Sequence, residues 1–190
     1  MNRILNFCSG KNITKKILFA FFFLYQIFSL KAQNCNCTQH ITGIDQGNYT
    51  VTTGQVLCID SGAVEAGNIT LNGGALCIKG VMRGGLSSTS PTGGSLVTIS
   101  SYGVFARVGN FNLSLMQIII NDKGVIDISG DLTLTGGGSN ITNNGVVNVL
   151  GKIKLNQGAV FQNNWIINYG TLDLNSQSIS GSGKRNVIPN

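Results

Sequence analysis

Apolar and polar residues alternate in short runs along most of this chain, and glycine or asparagine separates one run from the next. Three segments show the pattern in nearly the same form: GVIDISGDLTLTGGG from Gly124, GVVNVLGKIKLNQG from Gly145 and GTLDLNS from Gly170. The first two begin 21 residues apart, and the third begins 25 residues later. Strand-like alternation repeated at such a period predicts a β-solenoid in which each repeat forms one rung.

The alternation also assigns inward and outward positions, because successive side chains of a strand point to opposite faces. In the strand after each glycine the predicted inward residues are Leu57 and Ile59, Leu76 and Ile78, Ile126 and Ile128, Val147 and Val149, and Leu172 and Leu174. In a second strand they are Ile69 and Leu71, Leu113 and Leu115, Leu132 and Leu134, and Ile153 and Leu155. The outward residues of this second strand include Thr70, Ser114, Thr133 and Lys154.

A third short run ends near an asparagine in each of three repeats, at 119–121, 141–143 and 167–168. Three strands per rung, with glycine or asparagine at the corners, predict an all-β, right-handed parallel β-helix of about 20–21 residues per rung. A left-handed coil would require strict hexapeptide periods, which are absent. Asn121 and Asn143 are expected to stack as an amide ladder inside this coil.

Two segments interrupt the period. Residues 81–94 contain Pro91 within a Ser, Thr and Gly cluster, which predicts a loop extending from one rung. In YGVFARV the regular phase would bury Arg107, and burial of an unpaired guanidinium is costly. A shift of one residue, which buries Val104, Ala106 and Val108 instead, is therefore expected.

The N-terminal segment 1–32 has the order of a secretory signal peptide. Cations without any acid precede the apolar run ILFAFFFLYQIFSL, and Ala32 offers a cleavage site before Gln33. The run of 14 residues is shorter than the ~20 needed to span a bilayer, which favours a cleaved signal over an uncleaved anchor. The sequence thus predicts a protein that is secreted or lies on the outer cell surface, with no transmembrane segment in the mature chain.

The net charge depends strongly on this segment. The full chain has 13 Lys and Arg against 7 Asp and Glu, which suggests an acidic partner. Five of the cations and none of the acids lie within 1–32, so the mature chain would contain 8 cations and 7 acids. No basic stripe remains to follow phosphates, and nucleic acid is not an expected partner.

The mature chain divides into three predicted parts. Residues 33–53 do not match the repeat and are expected to form an N-terminal cap over the first rung. Residues 54–179 carry the β-helix repeats, including the loop at 81–94. Residues 180–190 form a C-terminal tail in which the pattern is lost after Ile179.

The mature chain contains four cysteines: Cys35, Cys37, Cys58 and Cys77. An even number in an exported chain favours disulfides, which would join the cap to the coil or link two rungs. Aligning VLCI with ALCI places Cys58 over Cys77, close enough for a direct bond. Bonds from Cys37 to Cys58 and from Cys35 to Cys77 are the alternative, and they would close longer loops. A metal site is not expected, because a CxC with one histidine lacks a second chelating pair.

The sequence suggests neither a catalytic nor a cofactor site. Polysaccharide-cleaving solenoids need clustered carboxylates for calcium or for acid and base chemistry. The seven acids here are spread along the chain, and Asp127 and Asp131 of the closest set are placed on different strands. We expect them to be solvated outward residues, and we do not expect an enzyme.

One outer face is the predicted binding surface. Its residues are Thr70, Ser114, Thr133 and Lys154, with Trp165 and Tyr169 as an aromatic platform for a sugar ring or, alternatively, as packing residues. Threonine arrays on solenoids also suggest ice binding. Ser114 and Lys154 interrupt this array, which argues against that function.

The segments CNCT, YTVTTGQVLCIDSG, NITLNGGALCIKG and FQNNWIINYGTLDL resemble secreted adhesin-like repeat proteins of Bacteroidetes. This resemblance covers about Cys35 to Asn175 and implies a parallel β-helix, often placed ahead of a C-terminal sorting domain. Trp165 stands where the family pattern has glycine, and no such sorting domain is recognised in this sequence. The family has no catalytic motif to carry over.

The expected function is therefore an adhesin-like module that binds a glycan or another surface through one outer face. A structural spacer, or a piece of a longer surface protein without its own ligand, is the alternative. A carbohydrate-active enzyme and an ice-binding protein are less favoured.

Overall fold

The structure is a computed structural model, and it describes residues 35–90 and 94–189. The predicted signal peptide lies outside these residues, as does Pro91 of the predicted loop. The described chain forms only strands, turns and bends, which confirms the all-β prediction. Within these residues no helix is long and apolar enough to cross a membrane.

The first face of the coil is a parallel sheet of eight strands, one from each successive turn of the chain. In order along the sheet these are β1 (Gln39–Ile41), β4 (Val56–Ile59), β7 (Ala75–Ile78), β10 (Ser95–Ile99), β13 (Met116–Ile120), β16 (Asn140–Asn143), β18 (Val160–Asn163) and β20 (Ile179–Ser180). The order of strands in the sheet follows their order in the sequence, which is the topology of a solenoid.

The second face follows the first in each rung and is also parallel. Its strands are β2 (Ile44–Asp45), β5 (Val64–Glu65), β8 (Val81–Met82), β11 (Val104–Arg107), β14 (Val125–Ile128), the N-terminal halves of β17 (Val146–Leu155) and β19 (Ile166–Asp173), and β21 (Lys184–Val187). The long strands β17 and β19 continue around the corner, so each contributes to the third face as well.

The third face is divided into two sheets. The first consists of β3 (Tyr49–Thr52), β6 (Ile69–Asn72) and β9 (Leu86–Ser88), and the second of β12 (Phe111–Ser114), β15 (Leu132–Thr135) and the C-terminal halves of β17 and β19. Together the three faces make a β-solenoid of about seven turns, which confirms the predicted solenoid. The right-handedness of the coil stays a prediction.

The core is a column of apolar side chains inside the coil, and it agrees with the predicted inward set. Of the predicted residues, all are buried except Leu115, Leu172 and Leu174. Leu115 lies in the turn after β12 with a φ of 54°. Leu172 and Leu174 are half-buried and pack against the core in the last full rung.

The third predicted repeat is displaced by one face. Leu172 pairs with Ile153, so GTLDL stacks on GKIKL of the third face and not on GVVNV. The true counterpart of Gly145 is Trp165, because Ile166 pairs with Val146. The prediction is wrong here because a tryptophan takes the corner position that glycine occupies in the preceding rungs.

The sequence pattern also predicted that the strands following each glycine occupy the same face in both halves of the coil, and this is wrong. Strands β4 and β7 belong to the first face, whereas β14 and β17 begin on the second. The three faces bury side chains with the same two-residue period, and the sequence pattern therefore does not distinguish them.

The predicted phase of YGVFARV is wrong. Phe105 is fully buried and packs edge-to-face on Phe111, with ring centroids 5.0 Å apart. Val108, predicted to be buried, is 88% exposed. Arg107 occupies the inward register position opposite Ile128 and is half-buried. Burial of the large aromatic side chain determines the phase of this strand.

The predicted boundaries of the coil are too narrow. Strands β8 and β9 lie inside the predicted loop at 81–94, which leaves only 89–94 between β9 and β10. Strands β1, β2 and β3 pair in register with the second rung, so the predicted cap contains the first rung. Strands β20 and β21 continue the sheets into the predicted tail.

Asparagine ladders form, but not between the predicted residues. The buried pair is Asn143 with Asn163, whose side chains are joined by a hydrogen bond of 2.7 Å. In the preceding rung the position of Asn143 is taken by Ile120, and Asn121 lies one residue further along. A second ladder joins Asn148, Asn168 and Asn186 on the outside of the second face, at 2.7 and 2.8 Å.

We expect Asn143→Ala to destabilise the coil by about 3 kcal/mol, because each buried polar group left without a partner costs roughly 1–3 kcal/mol. Asn143 Nδ2 donates to Asn163 Oδ1 and to the Ile166 carbonyl, and its Oδ1 accepts the Gly145 N–H. Urea denaturation would measure the loss. Asn148→Ala, which interrupts the half-buried outer ladder, is the control and should cost under ~1 kcal/mol. Equal losses in the two variants would contradict this assignment.

Candidate functional site

Four cysteines of the described residues form two disulfides on the outside of the first face. Cys35 bonds to Cys77 and Cys37 bonds to Cys58, which selects one of the connectivities left open by the sequence. Cys58 lies directly over Cys77, as predicted. Both point away from the core, yet they are 0% and 1% exposed. The two disulfides therefore link the first rungs covalently. Their sulfur atoms are not available as metal ligands.

A small polar cluster lies where the second face begins. Tyr49 Oη donates to Asp45 Oδ2 at 2.6 Å, and the Gly47 N–H donates to Oδ1 at 2.6 Å. The hydrogen bond from Tyr49 is the main reason that the pKa of Asp45 is lowered, and the same bond raises the pKa of Tyr49 to about 12. These contacts hold the first rung in shape.

Glu65 lies in the rung below, paired in register with Asp45. Its side chain is fully buried, with Oε1 accepting the Gly67 N–H and Oε2 without a hydrogen-bond partner. Burial is the main cause of the raised pKa of Glu65. Among the residues that the structure describes, no third acid, histidine or cysteine joins these two carboxyl groups to form a metal-binding set.

The predicted surface residues lie on the third face but do not form one continuous column. Thr70 belongs to the first sheet of this face, whereas Ser114, Thr133 and Lys154 belong to the second. Ser114 pairs with Thr135, and the partner of Thr133 is Asn112. The predicted column is therefore divided by the break in the face and by this difference in register.

Trp165 and Tyr169 do not form a common platform. Trp165 is 55% exposed at a corner, where it lines a shallow cavity of about 300 Å³ with Ile166 and Lys184. Tyr169 pairs with Val149, an inward residue, and packs against the core. Of these two aromatic residues, Trp165 is the one whose side chain is exposed enough to contact a ligand.

The break in the third face follows from a change in rung width. The second-face strands β2, β5 and β8 have 2 residues each, whereas β11 and β14 have 4. Val81 and Met82 pair with Val104 and Phe105, so Ala106 and Arg107 have no strand partner in the rung above. Two added residues widen the coil by about 7 Å at the usual strand rise. Strand β12 is consequently offset from β9 and does not pair with it.

This offset opens a cleft of about 470 Å³, which we call the step groove. It lies between the unpaired edges of β9 and β12. Its polar lining consists of Asn68, Thr70 and Ser87 on one wall and Arg107, Asn110 and Asn112 on the other. The apolar part of the lining comes from Leu86 and Phe111, which are almost fully buried.

Among the described residues that line the step groove, Arg107 is the only cation. Its position follows from the change in rung width. In the next rungs its register position is filled by the buried residues Ile128 and Val149. At Arg107 no strand covers this position from above, so the side chain is half-buried and opens into the groove. The Arg107 side chain makes no hydrogen bond or ion pair with any residue of the described ranges.

On the wall that contains Arg107, the hydrogen bonds use amide oxygens and leave amide donors free. Asn110 Oδ1 accepts the Asp131 N–H at 2.9 Å, and Asn112 Oδ1 accepts the Thr135 hydroxyl at 2.7 Å. Both amides retain their N–H groups as donors. The described residues that line the groove include no acidic side chain. The site therefore offers a guanidinium and two amide donors to a ligand that is rich in acceptors.

Sequence reasoning identified Thr70 but missed the rest of the step groove. One feature of the sequence could have revealed the groove. After Gly84 the number of residues that separate the apolar positions of the second face from those of the third face increases by two. Arg107 at an inward position was the second signal. No protein-family model, curated protein or solved structure matches this chain.

Proposed function

We propose that this chain is an exported, adhesin-like β-solenoid module that binds a glycan in the step groove. The observation that carries the proposal is the groove itself, a cleft of about 470 Å³ with amide, hydroxyl and guanidinium groups on its walls. Ligand sites typically occupy clefts of roughly 300–1,000 Å³ with a few polar groups that fix orientation. Sugar rings fit this chemistry because they offer many acceptor oxygens around a partly apolar ring.

The walls of the groove are rigid, which favours binding. Asn68 donates to Asn48 Oδ1 through its backbone and its side chain, at 3.0 and 3.1 Å. Thr70 and Ser87 share a hydrogen bond of 3.3 Å. On the opposite wall Asn110 and Asn112 are each tied to the rung below. A ligand therefore meets amide and hydroxyl side chains that are already held by hydrogen bonds, and less conformational entropy is lost on binding.

The proposed location is the cell exterior or the outer cell surface. Two disulfides between the N-terminal segment and the second and third rungs support an oxidising compartment. Their position also supports a surface role, since they secure the end of the coil whose rungs form one wall of the groove.

We expect Ser87→Trp to reduce glycan binding at least tenfold, because an indole at this position would occupy the groove. Ser87 is exposed and lines the wall formed by β9, so the larger side chain has room to turn into the cleft without disturbing the core. Thr50→Trp is the matched control. Thr50 is exposed and lies in the same outward column two rungs above Ser87, outside the groove. The full mature chain would be screened on a glycan array, and positive sugars would be titrated.

The outcome of this screen distinguishes the candidate functions. Binding that Ser87→Trp abolishes and Thr50→Trp preserves supports the groove as the site. Binding that both variants preserve places the ligand elsewhere and contradicts the proposal. A broad array without any binding would favour the spacer function.

A further inference from the structure

We infer that the step groove takes an acidic sugar, whose carboxylate pairs with Arg107. The inference rests on the proposed function, because it names the class of glycan that would bind at the same site. It is carried by three observations: the inward register position of Arg107, its lack of a partner, and the donor-rich lining around it.

The position of Arg107 calls for a counter-ion. A half-buried guanidinium loses part of its hydration, and this loss is offset only when an anion or several acceptors replace the water. Arg107 has no such partner within the described parts of the chain. A bound carboxylate would supply the missing partner.

The geometry favours a carboxylate over a neutral hydroxyl. A guanidinium presents a planar fork of donors that matches the two oxygens of a carboxylate, and such charge-assisted pairs are about twice as strong as neutral hydrogen bonds. The amide N–H groups of Asn110 and Asn112, from the same wall, are available for the ring oxygens and hydroxyls of the sugar. The groove thus combines one anion site with neighbouring donors for the rest of a uronic acid residue.

The attraction would be local and not a property of the whole surface. The mature chain carries 8 cations and 7 acids, so its net charge does not by itself recruit polyanions. Within the part of the chain that the structure describes, no carboxylate lines the groove. Selectivity for an acidic sugar would therefore depend on Arg107, and neighbouring cations should contribute little.

The test compares an alginate oligosaccharide, which is built from uronic acids, with the same oligosaccharide after reduction of its carboxyl groups. We expect the full mature chain to bind the acidic form at least tenfold more tightly. Arg107→Gln should weaken binding of the acidic form about tenfold or more, as expected for a lost charge-assisted pair. The same substitution should leave the reduced form unaffected, and Arg107→Lys should retain part of the affinity. Arg83→Gln is the matched control, because Arg83 is an exposed cation one rung above that does not line the groove.

Each result either supports or overturns the inference. Equal affinity for the two oligosaccharides would overturn the inference, and so would an unchanged affinity of Arg107→Gln for the acidic form. If Ser87→Trp still abolished binding in that case, glycan binding in the groove would stand. A sulfated galactan that binds as tightly as alginate, with the same dependence on Arg107, would show a general anion site and overturn selectivity for carboxylates. If neither form binds nor any other glycan, both the function and the inference fail. Carboxyl reduction changes only the ligand, so this comparison does not depend on the folding of a variant.

Discussion

Gly67→Ala is expected to prevent formation of the native coil, or to destabilise it by more than about 4 kcal/mol, a value reached only by severe steric or packing changes. A Cβ at this position would lie 1.8 Å from the Gly47 carbonyl oxygen and 2.6 Å from that of Gln46. Both obstacles are backbone atoms. The neighbouring residues are fixed as well, since the Ala66 N–H donates to Asp45 and the Tyr49 N–H donates to Asn68. Soluble expression, circular dichroism and urea denaturation would measure the effect.

Gly43→Ala is the matched control for this substitution. Gly43 lies at another corner of the first rung, where an added Cβ would meet no atom within 4 Å. The change should alter stability by less than about 0.5 kcal/mol, as is usual for surface substitutions. A folded Gly67→Ala variant with the stability of Gly43→Ala would show that the rungs do not approach each other so closely.

The glycines at this corner are stacked in the three rungs above the step groove. Gly47, Gly67 and Gly84 stack directly, and a Cβ on Gly84 would lie 1.5 Å from the Gly67 carbonyl oxygen. In the fourth rung the corner is displaced by the added residues Ala106 and Arg107, and the stack ends. The groove therefore forms because the first three rungs are narrower than the rungs that follow.

The sequence was sufficient to predict the solenoid and most of its core. Alternating apolar residues such as Ile126, Ile128, Val147 and Val149 were assigned inward, and all are buried. The assignment worked because a one-residue slip would expose the entire apolar set of a strand, so the phase is strongly determined wherever the alternation is regular. The stacking of Cys58 on Cys77 followed from the same regularity.

The sequence did not determine which face each strand occupies. Alternation reports whether a side chain points inward, but each of the three faces has the same period of two. Glycine was used as the marker of one corner, and this marker failed where Trp165 replaces it. The register between distant rungs depends on backbone pairing, which has no local sequence signal.

The candidate site could be predicted only in part, because it arises from a difference between rungs. Thr70 was identified as an outward polar residue, whereas Arg107 was assigned to the surface on the ground that burial of its charge is costly. That rule assumes that neighbouring strands cover each inward position on both sides. At the step no strand covers Arg107, and the expected cost is reduced by the open groove. Recognising this required the alignment of the third and fourth rungs in space.

Removal of both disulfides is expected to cost about 5 kcal/mol and to act mainly on the first three rungs. The bonds close segments with sequence separations of 42 and 21 residues. Loop-closure entropy alone assigns about 4 and about 3 kcal/mol to loops of these lengths, and the sum is reduced because the loops overlap. Cys35, Cys37, Cys58 and Cys77 would all be replaced by alanine, and hydrogen exchange would be followed by mass spectrometry. The variant lacking only Cys37 and Cys58 is the control and should lose about half as much.

The decisive result of this experiment is which rungs lose their protection from hydrogen exchange. In a solenoid each rung contacts only its neighbours, so a weakened end opens without unfolding the remote rungs. Faster exchange should be confined to β1 through β9, while β14 through β19 keep their protection. Asn68, Thr70 and Ser87 belong to the weakened part, and the affinity for a glycan in the step groove should fall with it. Uniformly faster exchange in every rung would mean that the coil unfolds as one unit, and the disulfides would then stabilise the whole fold and not one wall of the groove.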